Sequence, residues 1–190
     1  NRTMNLASLT KDAEKQNVEI YYLINNWKLK KIIDKLIKEA SYELGNKAIK
    51  LEISHGDFRP QNIFINGDNL IVIDWEGLCI KPKYTDLCNF VLHLLLMPTF
   101  PFYSFKFQKS LSSFAISEYF RSINSGIIDP SLELVMLYTL VSMLNFYVHT
   151  SHRTARHTSP SDYILLKLAQ RQVIRILFNF RSVFNSLTSF

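Results

Sequence analysis

Apolar residues recur at helical spacing through the first quarter of the chain. Ile20, Leu23, Ile24, Trp27, Ile32, Ile33, Leu36 and Ile37 mark residues 10–44, and Gly45 stands where a helix would stop. This pattern predicts one long helix or two consecutive ones. At residue 49 the period changes: Ile49, Leu51 and Ile53 alternate with Lys50, Glu52 and Ser54, as in a half-buried strand that delivers the chain to His55. After a loop containing Gly56 and Pro60, the runs Ile63-Phe64-Ile65 and Leu70-Ile71-Val72-Ile73 flank Asn66-Gly67-Asp68-Asn69, which predicts a hairpin. Beyond Pro82 the spacing turns helical again, with helices expected over residues 85–97, 103–124, 130–149 and 161–187. Ser125-Gly126 and Asp129-Pro130 punctuate them, and Pro98 and Pro101 bracket a break. Without repeats or low-complexity linkers, the chain reads as a single α+β unit, mostly helical, with a small β hairpin at its working edge.

Composition sets bounds on this picture. A chain of 190 residues, 47% hydrophobic and 20% charged, can bury a substantial core within one domain, which excludes disordered and collagen-like classes. The most apolar run, residues 132–148, is interrupted by Glu133, Ser142 and Asn145, so it reads as a buried helix and no membrane span is expected. The chain opens at Asn1 with no signal-peptide pattern, and a cytoplasmic location is expected. Cys79 and Cys88 form no Cys-x-x-Cys pair and read as two buried, reduced thiols. The formal charge of +6 favours anionic ligands without naming one. Lys28, Lys30, Lys31, Lys35 and Lys38 flank Ile32, Ile33, Leu36 and Ile37 as a solvated helix face would, and no nucleic-acid partner is expected.

The chemistry concentrates in Ser54-His55-Gly56-Asp57-Phe58-Arg59-Pro60-Gln61-Asn62 and, twelve residues after Asn62, in Ile73-Asp74-Trp75-Glu76. Phosphoryl transfer has a loose transition state. Its protein therefore positions groups, lets magnesium neutralise phosphate charge and orients the attacking hydroxyl. A loop carboxylate, Asp57, suits the hydroxyl, while the amide oxygen of Asn62 and the carboxylate of Asp74 are hard ligands suited to magnesium. A hairpin between Asn62 and Asp74 brings both to one end of a stiff support.

This stretch resembles the catalytic loop and metal-binding aspartate of kinase-fold enzymes, and more narrowly the aminoglycoside phosphotransferase family with its choline kinase relatives. In that family His-Gly-Asp is followed by Pro and Asn, then by Ile-Asp-Trp or Ile-Asp-Phe. Pro60, Asn62, Ile73, Asp74 and Trp75 match that form. The resemblance implies the C-terminal lobe of a protein kinase-like fold, with Asp57 as catalytic base and Asn62 and Asp74 holding Mg2+ and the nucleotide. It implies His55 as a structural residue of the loop, and Asp86, in Asp86-Leu87, as its brace. Arg59 stands where protein kinases place a lysine that neutralises the transferred phosphoryl group; a pairing with a carboxylate such as Glu76 is equally open. Protein kinases carry Arg at the place of Gly56 and Gly at the place of Glu76, and their Ala-Pro-Glu is absent here, which favours a small-molecule acceptor.

The resemblance implies a kinase that moves the terminal phosphoryl group of ATP or GTP to a hydroxyl of an aminoglycoside, a choline-like alcohol or a sugar. The rival is a pseudokinase-like binding module, against which Asp57, Asn62 and Asp74 stand together. Within the unit, residues 1–48 read as leading helices, 49–97 as catalytic loop, metal-binding hairpin and following helix, and 98–190 as a helical subdomain. No glycine-rich β lobe is legible before Leu51, so the N-terminal nucleotide-binding lobe is expected to be missing. Three further groups take plainer readings. His149, His152 and His157, with Arg153 and Arg156, suit a polar connecting loop. His93, among Val91, Leu92, Leu94 and Leu95, suits a hydrogen-bonded core histidine. Phe100, Phe102, Tyr103, Phe105 and Phe107 suit packing under an irregular segment rather than an acceptor pocket.

Overall fold

The computed structural model describes residues 3–45, 47–97, 104–125, 128–154 and 159–189, with backbone alone at 152–154 and 160–162. The leading helical region is two helices, α1 (Leu6–Ile24) and α2 (Trp27–Leu44). Consecutive asparagines make the division. Asn25 closes α1 in the left-handed region (φ 52°), and the Asn26 side chain caps α2 by accepting from the Leu29 amide at 3.1 Å. Gly45 ends α2 at positive φ, where its missing Cβ removes the penalty. Trp27, one of the helically spaced apolar residues, is exposed on the first turn of α2 beneath the ammonium groups of Lys28 and Lys31.

A short strand β1 (Thr3–Met4) pairs antiparallel with β2 (Ile49–Ser54), which pairs on its other side with β5 (Cys79–Pro82), Leu51 opposite Pro82 and Ser54 opposite Cys79. Between β2 and β5 the chain makes a 3-10 turn at Pro60–Asn62, then the hairpin β3 (Ile63–Asn66) and β4 (Asn69–Val72). Neither β1 nor β5 has an apolar alternation of its own. β5 exists because β2 supplies the partner edge. It leaves Cys79 half exposed rather than buried; Cys88 is buried as expected, and both are free thiols.

Helices follow: α3 (Thr85–Leu96), α4 (Phe105–Ser122), α5 (Ser131–Thr154), α6 (Pro160–Phe178) and α7 (Phe180–Thr188). The expected helix over 161–187 is therefore two, broken at Asn179, whose side chain donates to the Arg175 carbonyl at 2.9 Å. The break lets α7 fold against α4 with Phe180, Phe184 and Leu187 inward. Helix α5 is the axis of the core, packed against α1, α2, α3 and α6. Its Leu132, Val135, Leu137, Leu140, Val141, Leu144 and Val148 are fully buried. By length and composition alone Ser131–Ser151 could cross a membrane, but the other helices already cover most of it. Because α5 runs to Thr154, His149 lies on a helix rather than in a connecting loop, 3.9 Å from Glu19. The side chains of His152 and Arg153, with Arg156, His157, Pro98, Phe100, Pro101, Phe102 and Tyr103, lie outside the described residues. Phe105 packs against the core.

Candidate active site

The loop that begins at His55 leaves β2 and is tied to α3 before it reaches the hairpin. Asp86, in the first turn of α3, accepts from Ser54 Oγ at 2.7 Å, from the His55 amide at 2.7 Å and from the Gly56 amide at 3.3 Å. One carboxylate thus satisfies consecutive loop donors, each charge-assisted. His55 is buried against Trp75 and Phe58, with ring centroids 4.6 and 5.9 Å away, and Phe58 continues the packing onto Phe90 of α3. Its Nε2 lies 2.8 Å from the Ile73 carbonyl, so Nε2 carries the proton, and Nδ1 accepts from the Asp57 amide at 3.4 Å. His55 therefore ties the loop to the residue just before Asp74.

The hairpin does the rest. Ile63 pairs with Val72, and the Ile73 amide donates to the Asn62 carbonyl at 3.0 Å, so Asn62 and Asp74 emerge together at the open end. Asp74 takes the left-handed conformation (φ 67°, ψ 49°), which Asp tolerates better than most residues. Buried Asn62 uses its amide nitrogen on Asp57, 2.9 Å from the carbonyl and 3.3 Å from Oδ2, and reaches Asp74 Oδ2 at 3.5 Å. With the nitrogen so engaged, the amide oxygen is left as an acceptor for a cation. Among the described residues no three His, Cys, Asp or Glu side chains gather as a self-sufficient metal cage. One carboxylate and one amide oxygen fit magnesium that arrives with phosphate and water ligands of its own.

Arg59 pairs with Asp57 rather than with Glu76: its Nη2 is 2.9 Å from Asp57 Oδ2. Its Nε is buried without a hydrogen-bond partner among the described residues. Both Asp57 and Arg59 open onto a cavity of about 1020 Å3 walled by α1, β5, α3 and α5. His93 lines this cavity and is half buried, so it is not the satisfied core histidine its apolar neighbours suggest. Burial lowers its pKa below the usual histidine value, the Arg59 charge adds to that, and Asp57 opposes it. Tyr147, on the opposite helix, has its pKa raised by burial, with Arg59 pulling the other way. Tyr138 donates to Asp12 at 2.8 Å across the α1–α5 seam. The sequence reading passed over Lys11, Asp12, Lys15, Asn89, Tyr138 and Tyr147. Only the tyrosines gave a signal, as polar-tipped residues in an otherwise apolar helix need a partner.

Residues 11–101 match the model of the phosphotransferase enzyme family known as APH. None of the curated proteins matches the chain. Among solved structures, choline kinase from Cryptosporidium parvum Iowa II superposes with a TM-score of 0.52 at 15% sequence identity. The alignment covers 93% of this chain and 57% of that enzyme, so the chain spans little more than half the length of the choline kinase it matches. The fold is the mostly helical α+β fold of kinase-like proteins. The segment matched to the phosphotransferase family carries most of α1, all of α2 and the whole loop and hairpin, and it is in this segment that the chain is similar to that family.

Proposed function

We propose that the protein is a small-molecule kinase, transferring the terminal phosphoryl group of ATP or GTP to an alcohol. The observation that carries this reading is the convergence on Asn62, whose amide nitrogen lies 3.3 Å from Asp57 and 3.5 Å from Asp74 at the mouth of a cavity large enough for an acceptor. Asp57 Oδ2 is engaged by Arg59 and Asn62, and Oδ1 has no partner among the described residues. That free oxygen accepts the hydrogen bond of the attacking hydroxyl and orients its lone pair. Asn62 and Asp74 hold magnesium, which on binding neutralises charge on the nucleotide phosphates. Arg59 fixes the Asp57 carboxylate and brings a positive charge to the edge of the transfer site. Asp86 and His55 hold the loop in the geometry the transfer needs.

The nucleotide-covering half of the cleft is a β lobe in this reading. It sits on the apolar rim made by Ile53, Ile65, Leu70, Ile71 and Leu78, all of them exposed.

Paired substitutions in the intact protein test the assignment. Asp74→Ala removes the charged metal ligand and should abolish magnesium-nucleotide binding in calorimetry. Asp57→Asn keeps shape and should leave that binding intact while turnover falls by about 100 to 10,000-fold, the scale of a general base. Normal turnover in Asp57→Asn, or wild-type protein that binds no magnesium nucleotide, would sink the reading.

A further inference from the structure

The charged side chains of the acceptor cavity are unevenly matched. Lys11 and Lys15 stand one turn apart on α1, Lys81 comes from β5 and Arg59 from the loop, against only two carboxylates, Asp12 and Asp57. Both carboxylates are already engaged, Asp57 by Arg59 at 2.9 Å and Asp12 by the Tyr138 hydroxyl at 2.8 Å. None of the three lysines forms an ion pair among the described residues. Across the strand pair Lys81 faces Glu52, whose carboxylate instead accepts from the Tyr84 amide at 2.9 Å.

A concave wall with unpaired ammonium groups repels a cationic acceptor and attracts an anionic one, more strongly than the same charges would on an open surface. The cavity, about 1020 Å3, is also roomier than a two- or three-carbon alcohol requires. We propose that the acceptor is a sugar-sized hydroxyl compound bearing a phosphate or carboxylate, its anionic group on Lys11 and Lys15 and its hydroxyl at Asp57. Aminoglycosides and choline, both cations, are thereby disfavoured as acceptors. The proposal takes the use of the cavity from the kinase reading, but the charge preference can be measured without any turnover.

The test is calorimetric binding to the intact protein of sugars that differ chiefly in charge: glucose 1-phosphate, glucuronate, glucose and glucosamine. At least one anionic sugar should bind about tenfold or more tighter than glucose and glucosamine, a difference of about 1.4 kcal/mol. The contrast between the phosphate and carboxylate arms tells which anion the lysines prefer. Lys11→Glu with Lys15→Glu should erase the preference, and since both side chains are exposed the melting temperature should stay unchanged. The pair Lys11→Gln with Lys15→Gln, which adds no new charge, should weaken anion binding in the same direction. Absence of binding by both anionic sugars, equal or tighter binding of glucosamine, or a preference that survives both double variants overturns the proposal. If the preference holds while the same preparation neither binds magnesium nucleotide nor transfers phosphate, the kinase reading fails and the anion site stands.

Discussion

Gly56 sits where the His55–Asn62 loop passes against the turn after Asp74. Its φ is +86°, and a Cβ built there would lie 2.2 Å from the Gly77 carbonyl oxygen, a backbone atom that cannot swing aside. Gly56→Ala therefore combines an unfavourable backbone conformation with a clash, and either the loop or the Trp75–Gly77 turn must move. The strain is of the order of 1–3 kcal/mol before the clash is counted. Gly67 in the hairpin turn is the control, because it shares a positive φ of +60° but has open space around it. Urea midpoints should fall further for Gly56→Ala than for Gly67→Ala, whose loss is about 1–2 kcal/mol. Equal losses would mean that the contact between loop and turn relaxes freely.

Between elements, the most connected charge is Arg181 on α7. Its Nη1 donates to Glu133 of α5 at 2.9 Å, its Nη2 lies 3.0 Å from Glu43 of α2, and Glu39 is 3.9 Å away. Burial pushes the Glu133 carboxyl above its usual range; Arg181 opposes that shift, while Glu43 and Glu39 add to it. Arg181 thus compensates a carboxylate that α5 could not otherwise hold among apolar neighbours. Arg181→Met should destabilise the protein by about 1.5–3 kcal/mol, the range for hydrogen bonds to charged groups. Adding Glu133→Leu should recover most of that loss, since a buried apolar pair often replaces an ion pair without penalty. A double-mutant cycle in urea reads the coupling. Additive losses would show that Arg181 stabilises the protein through Glu43 and Glu39 of α2 rather than through Glu133.

On the scale of the molecule, the strands around the site carry some of its most exposed aliphatic side chains. The core is closed around α5, yet Ile53 is 74% and Ile65 81% exposed beside the site, with Leu70, Ile71 and Leu78 exposed nearby. Large apolar side chains so exposed near one site suit a surface that something covers. In the proposed arrangement that cover is the nucleotide-binding β lobe. The 190-residue chain on its own should then self-associate in sedimentation experiments. Ile53→Lys with Ile65→Glu should suppress the association without lowering the melting temperature, because neither side chain packs inside. A monomeric wild-type chain at high concentration would show that this rim needs no cover.

The loop, the hairpin and the major helices are legible in the sequence because their determinants are local. His55, Asp57, Asn62 and Asp74 lie within one loop, one 3-10 turn and one two-stranded hairpin, so their spacing already encodes their convergence. Helix periods are visible for the same reason, although the Asn25-Asn26 division and the break at Asn179 fall at single asparagines that a hydrophobic period does not register. What lay beyond the sequence required distant segments to meet. β5 is a strand only because β2 lies beside it, and Asp86 reaches the loop amides across some thirty residues of chain. The cavity beside Asp57 joins α1, β5, α3 and α5, and it turns His93 from an apparent core residue into part of a wall facing Arg59 and Asp57. Periodicity tells which side of a helix is apolar. Which polar side chains end up sharing one cleft is decided by the packing of helices far apart in sequence, and only the tertiary structure contains that.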